Sequence, residues 1–241
     1  MLPIRDTIHS YRFPAVNLTL IAINAVVFFF QVSLPPEALD DLVIAFGVVP
    51  ARLDLTDPLA TLANPAAWVP LFTHMFLHGG WFHIISNMWT LFIFGDNVED
   101  RMGSGRYLLF YLFGGLAAAL AQVAINPASP IPAIGASGAI AGVLGSYFLL
   151  FPKSRVITLI PIFFIPWLIE VPAIVYLGFW FVSQLFSGIA ALRIPHEVAI
   201  GGVAWWAHIG GFVFGMVFFR LFTPRRHSAY TRQYPDEYYP W

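Results

Sequence analysis

The chain has 241 residues, 59% hydrophobic and 10% charged, with a formal net charge of −1 and a mean hydropathy of +0.74. A soluble domain carries about 25% charged residues, so this chain lacks the polar surface to face water all round, and its class is a polytopic, all-α membrane protein. No basic stripe marks a nucleic-acid partner, and the absence of cysteine excludes disulfides, thiolate metal sites and cysteine nucleophiles.

The first twelve residues are polar, with Arg5 and Arg12. The apolar stretch after them lacks a clear cleavage site, so it is read as a retained span and not a signal peptide. At about 20 residues per crossing, six spans are expected. The first runs from about Pro14 to Ser33. A long outer loop follows over residues 34–77, rich in proline and aspartate. The second span covers about Phe82 to Phe94, extended to His78 and Val98. The third is about Tyr107 to Ile125. The fourth, about Ala136 to Phe151, is short and rich in Gly, Ala and Ser. Residues 156–169 are apolar but hold Pro161 and Pro166, which disrupt a short helix, so they read as an interfacial loop. The fifth span is about Val171 to Ala191 and the sixth about Gly202 to Phe222.

Charge placement agrees with this count. Arg5, Arg12, Arg101, Arg106, Lys153, Arg155, Arg220, Arg225, Arg226 and Arg232 share one side of a six-span bundle, leaving only Arg52 and Arg193 on the other. The positive-inside rule then places both termini in the cytoplasm. The organisation is a cytoplasmic N-terminus (1–13), a six-helix membrane domain (14–222) and a polar cytoplasmic tail (223–241), which is expected to be poorly ordered.

In this topology spans two, four and six all start on the outer side. Ser137 lies in the first turn of span four, His208 about two turns into span six, and His83 and Asn87 near the start of span two. At about 1.5 Å per residue, all four side chains lie within roughly 10 Å of the outer boundary. Reactive side chains at that depth are costly and are functional suspects. A serine hydroxyl needs a base to become a nucleophile, and imidazole titrates near neutrality. His83 and Asn87 are four apart and share a helix face. Their N–H groups, with the Ser137 backbone N–H at a helix start, suit a developing oxyanion. No embedded Asp or Glu is placed to orient His208, so the arrangement is a Ser–His dyad. Small residues at Ser137, Ala141 and Gly145, at Gly138, Gly142 and Ser146, and at Ala207, Gly211 and Gly215 let spans four and six approach closely.

These motifs resemble those of rhomboid intramembrane serine proteases. They are Gly135-Ala136-Ser137-Gly138, Ala207-His208-Ile209-Gly210-Gly211, and His83-Ile84-Ile85-Ser86-Asn87. The turn Gly95-Asp96-Asn97-Val98-Glu99-Asp100-Arg101-Met102-Gly103 is similar too. The resemblance covers roughly residues 60–222. It implies a six-helix bundle open to water from outside and cleavage of a transmembrane substrate near its outer end, without metal or cofactor. It also implies a lateral gate formed by the fifth span and the nearby outer loop. By resemblance Ser137 is the nucleophile, His208 the base, and His83, Asn87 and the Ser137 N–H the oxyanion donors. Where some members carry Trp-Arg in the first outer loop, this chain has Ala51-Arg52.

Each residue has a plainer reading. Ser137 suits a packing position, His208 and Asn87 suit interhelical hydrogen bonding, and His83 suits the lining of a cavity. His74 and His78 have zinc-like spacing, but the Glu of an HExxH motif is missing. Glu99 and Arg101 are expected to cap and tie helix ends, Glu170 to lie at the interface, and Gln184 to bond a neighbouring helix. Trp205-Trp206 suits an interfacial belt, and Phe179-Trp180-Phe181 suits packing or lipid contact. The partners expected are transmembrane substrates and the lipid bilayer. The rivals are a rhomboid-like pseudoprotease, which would lack the Ser or the His, and a transporter, which would show repeats or embedded charges. A bacterial inner membrane fits the compact chain, and no Arg- and Ser-rich presequence points to mitochondria.

Overall fold

A computed structural model describes residues 2–53, 56–57, 63–162, 165–192 and 203–224. Its helices are α1 (Ala15–Ser33), α2 (Pro36–Phe46), α3 (Trp81–Met102), α4 (Ser104–Ile125), α5 (Ser137–Leu150), α6 (Ala173–Ala191) and α7 (Trp205–Phe222), with short helical turns between α2 and α3. Three strands join them: β1 (Leu2–Asp6), β2 (Arg155–Ile162) and β3 (Ile165–Pro172). The chain is a mostly helical, polytopic membrane protein. Among the described residues α1, α4, α6 and α7 are long and apolar enough to cross a bilayer. The second expected span is the 22-residue α3, whose last turns carry Asp96, Glu99, Asp100 and Arg101. The fourth is the apolar α5 of only 14 residues. Arg193, Arg225, Arg226, Arg232 and nearly all of the expected tail lie outside the described residues.

Helix α5 is apolar all round, the pattern of a helix enclosed by others. It is buried from Gly138 through Tyr147 and packs against α3, α4 and α7. The small-residue stripes set its closest crossing. A Cβ built on Gly211 or Gly215 of α7 would collide with the carbonyl oxygen of Gly138 or Gly142 of α5.

Helix α1 starts after Pro14 with no side-chain cap of its own. Glu99 of α3 supplies one: its carboxylate accepts the N–H groups of Val16 at 3.1 Å and Asn17 at 2.7 Å, and the Ser104 hydroxyl at 2.6 Å. The two backbone N–H groups are donors that a helix start leaves unsatisfied. Asn17 in turn donates to the Leu91 carbonyl and accepts from the Tyr107 hydroxyl. Residues 95–102, read as a turn from the sequence, are the last turns of α3, and from there Glu99 ties helix ends together as expected.

The fold is mostly helical as expected, but it carries a small sheet, and the interfacial-loop reading of residues 156–169 is corrected. Arg155–Pro172 forms a β-hairpin, and β1 pairs antiparallel with β2 to make a three-stranded sheet. Pro161 and Pro166 do exclude a helix, but they face each other across the hairpin. Neither proline donates to the ladder, and Pro166 lies on the edge strand β3 while Pro161 lies next to the end of β2, positions where proline is tolerated. The β-branched residues around them, Val156, Ile157, Thr158, Ile160 and Ile169, favour strand. The sheet is anchored on the helices: Trp89 Nε1 donates to the Pro3 carbonyl, and the Tyr147 hydroxyl donates to Asp6.

Two further ties position the loops near α5. Val48 and Ala133 exchange backbone hydrogen bonds, so the long segment after α2 grips the loop that precedes Ser137. Arg52 of that segment donates back to the Ile44 carbonyl of α2 at 2.9 Å.

Candidate active site

Ser137 is the first residue of α5, where its backbone N–H has no intrahelical acceptor. The preceding turn depends on Gly135. Its φ of +125° lies where side chains are disfavoured, and its N–H donates to the His74 carbonyl at 2.9 Å. A Cβ there would sit 2.6 Å from His83 Nε2 and 3.7 Å from Asn87 Nδ2. The glycine therefore lets both side chains of α3 come against the backbone two residues before the serine.

His208, on α7, reaches Ser137 across the close crossing, with Nε2 2.7 Å from Ser137 Oγ. Its ring is 9% exposed. Trp180 lies over it at a centroid distance of 5.9 Å, and Trp205 meets it edge-on at 6.2 Å. Its other nitrogen, Nδ1, is 2.8 Å from Gln184 Oε1 on α6. Four helices thus converge: α3 with His83 and Asn87, α5 with Ser137, α7 with His208, and α6 with Gln184.

Both side chains of the α3 pair present a nitrogen toward Gly135. The Gly79 N–H donates to His83 Nδ1 at 3.3 Å. A neutral ring that accepts at Nδ1 carries its proton on Nε2, the atom that faces Gly135. Asn87 Nδ2 is buried without a hydrogen-bond partner. A buried donor without a partner costs about 1–3 kcal/mol.

Beside Ser137 a cavity of about 20 Å³ is lined by residues including His74, Gln122, Gly135 and Ala207. That is room for about one water, and the Gln122 side-chain oxygen is buried without a partner there. His74 commits Nδ1 to the Pro70 carbonyl at 2.9 Å. Among the described residues no group of three or more metal-ligating side chains forms.

The sequence motifs located Ser137, His208, His83 and Asn87, and the structure brings all four together. Gln184 was legible as an unusual mid-span amide, but its partner was not. Trp180, which the sequence suits to packing or lipid contact, packs against the imidazole.

The fold and site define a class: a helical membrane protein with a serine and an imidazole paired inside its bundle. The rhomboid domain model matches residues 65–225, and the chain belongs to that family. It is 36% identical over 152 residues to the rhomboid protease GluP of Bacillus subtilis, covering 63% of this chain and 26% of that one. It is 31% identical over 166 residues to RHOMBOID-like protein 1 of Arabidopsis thaliana, covering 68% and 36%. Against the mitochondrial rhomboid protein 1 of Saccharomyces cerevisiae the identity is 26% over 147 residues, covering 59% and 38%. The chain spans between about a quarter and two fifths of the length of these relatives.

Proposed function

We propose that this chain is an intramembrane serine endopeptidase that hydrolyses a peptide bond of transmembrane substrates near the outer face of the membrane. One observation carries the reading: the 2.7 Å contact between Ser137 Oγ and His208 Nε2, enclosed in an apolar bundle. The similarity to GluP, named a rhomboid protease, supports it.

The Ser137 hydroxyl attacks the scissile carbonyl as its proton passes to His208 Nε2. The tetrahedral oxyanion accepts from Asn87 Nδ2, His83 Nε2–H and the Ser137 backbone N–H, aided by the positive end of α5. Collapse breaks the C–N bond, and His208 returns the proton to the leaving amine. Water, deprotonated by His208, then attacks the acyl carbon, and collapse breaks the ester C–O bond as His208 returns the proton to Ser137 Oγ. No metal or cofactor enters these steps.

Six spans are proposed, with α3 and α5 completing the set and both termini cytoplasmic. At about 1.5 Å per residue the 14 residues of α5 reach about 21 Å against a core of about 30 Å. Ser137 then lies below the outer surface while the base of α5 meets the inner one. The protease domain is residues 14–222, and a bacterial inner membrane is the proposed setting. A helical carbonyl is hydrogen-bonded and shielded, so substrates with small or helix-destabilising residues near the cut are favoured.

Fluorophosphonate labelling of the purified protein in detergent tests the reading, comparing wild type with Ser137→Ala and His208→Ala. Labelling of wild type alone is the expected result. A folded wild type that fails to label would favour a client-binding pseudoprotease. Labelling that survives Ser137→Ala would refute the site.

A further inference from the structure

His208 uses both ring nitrogens, and the second bond has no place in a two-residue scheme. Nε2 meets Ser137 Oγ, and Nδ1 meets Gln184 Oε1 at 2.8 Å. Gln184 sits in the apolar α6 and is 5% exposed. Its amide is oriented by its own partners. The Nε2 end donates to the Trp180 carbonyl at 3.3 Å and to Ser183 Oγ at 2.9 Å. A carbonyl only accepts, so the NH2 end is committed to it and the oxygen end faces the imidazole. An amide oxygen also only accepts. His208 therefore donates from Nδ1.

A neutral imidazole carries one proton, so a protonated Nδ1 leaves the lone pair on Nε2. That is the nitrogen facing the Ser137 hydroxyl. The opposite tautomer would point N–H at Ser137 and leave the base without an acceptor site. Trp180, tilted against the ring, and Trp205, edge-on to it, limit its rotation.

We propose that Gln184 is a positioning residue that holds His208 in the Nδ1–H tautomer, making the site a Ser137–His208–Gln184 relay with a neutral amide where a Ser-His-Asp triad has a carboxylate. The inference rests on Ser137 and His208 being the reacting pair. A carboxylate at this depth carries a heavy desolvation cost, and an amide supplies the acceptor without a charge. Gln184 touches neither the scissile carbonyl nor Ser137; it acts through the imidazole. Because it stands on α6, any separation of α6 from α7 removes the acceptor from the base.

The test pairs two readouts on the full chain in detergent. The first is ¹⁵N NMR of histidine-labelled protein, with the His208 signals assigned by their loss in His208→Ala. The second is the fluorophosphonate labelling rate of wild type, Gln184→Leu and Gln184→Glu, with thermal unfolding as the folding control. Wild type is expected to show Nδ1–H and a bare Nε2. In Gln184→Leu the population moves toward Nε2–H, and labelling slows by about tenfold or more, since a wrong tautomer disables the base. Gln184→Glu retains an acceptor and regains most of that loss. An Nε2–H tautomer in wild type would overturn the proposal. So would wild-type labelling by Gln184→Leu, or equal loss in both variants, which would assign Gln184 to packing alone. If Gln184→Leu does not fold, the wild-type tautomer decides. A wild type that never labels would count against the hydrolase reading, while its tautomer would still test the positioning.

Discussion

Replacing Gly211 with alanine adds one methyl group to the close crossing of α5 and α7. The new Cβ would lie 3.0 Å from the Gly138 carbonyl carbon and 3.3 Å from Ala141 Cβ, with the Gly138 oxygen nearer still. Non-bonded carbons settle at about 3.5–4.0 Å, so α7 must retreat from α5 by about 1 Å. Gly211 is one turn beyond His208, and Gly138 adjoins Ser137, so most of that retreat falls on the Ser137–His208 bond. A 2.7 Å contact stretched to about 3.5 Å is no longer an effective hydrogen bond. A misplacement of about 1 Å costs on the order of 10²-fold in rate, and the overpacking costs about 1–3 kcal/mol of stability. The assay is the fluorophosphonate labelling rate with thermal unfolding in the same detergent. Gly178→Ala is the control, because its added Cβ meets only Phe148 Cε2, at an ordinary 3.8 Å. If Gly211→Ala labels and melts like wild type, the crossing does not set the reacting distance and the reasoning fails.

Two further outcomes follow from other parts of the structure. Asn87→Ala removes the buried orphan donor beside Gly135. It is expected to lower kcat by about 10²–10³-fold with little change in KM, and a loss confined to KM would assign Asn87 to substrate binding instead. Asp6 lies in β1, outside the spans, where its carboxylate accepts from Tyr147 and Asn97. Burial, reinforced by the nearby Asp96 carboxylate, pushes its pKa up from 3.8 to about 8. The folded state then holds a proton that the unfolded state releases, so stability falls as pH rises from about 4 through about 8. Melting temperatures across that range are expected to decline in wild type and to decline less in Asp6→Asn; parallel curves would refute the role of Asp6.

Composition and periodicity alone determined that this is a helical membrane protein. Burying so many apolar residues with so few charges leaves no soluble solution. The helices expected as spans form within a few residues of their predicted limits, because helix ends follow Pro14, Gly103, Pro172 and similar local signals. The groups proposed to react were legible too: a serine, two histidines and an asparagine are conspicuous where polar side chains are costly, and small residues announce close crossing. The hairpin was not legible. Its apolar residues and prolines exclude a helix without selecting a partner, and β2 found one in β1, about 150 residues away in sequence. Gln184 shows the same limit. Its depth marked it as unusual, but which helix its amide meets depends on how α6 rotates against α7. That rotation is fixed by packing around Trp180, Phe181 and Phe212, not by any local preference of the chain. The sequence supplied the chemical groups, and the tertiary structure decided the distances, the tautomer-setting partner and the sheet, because each depends on contacts between segments far apart in the chain.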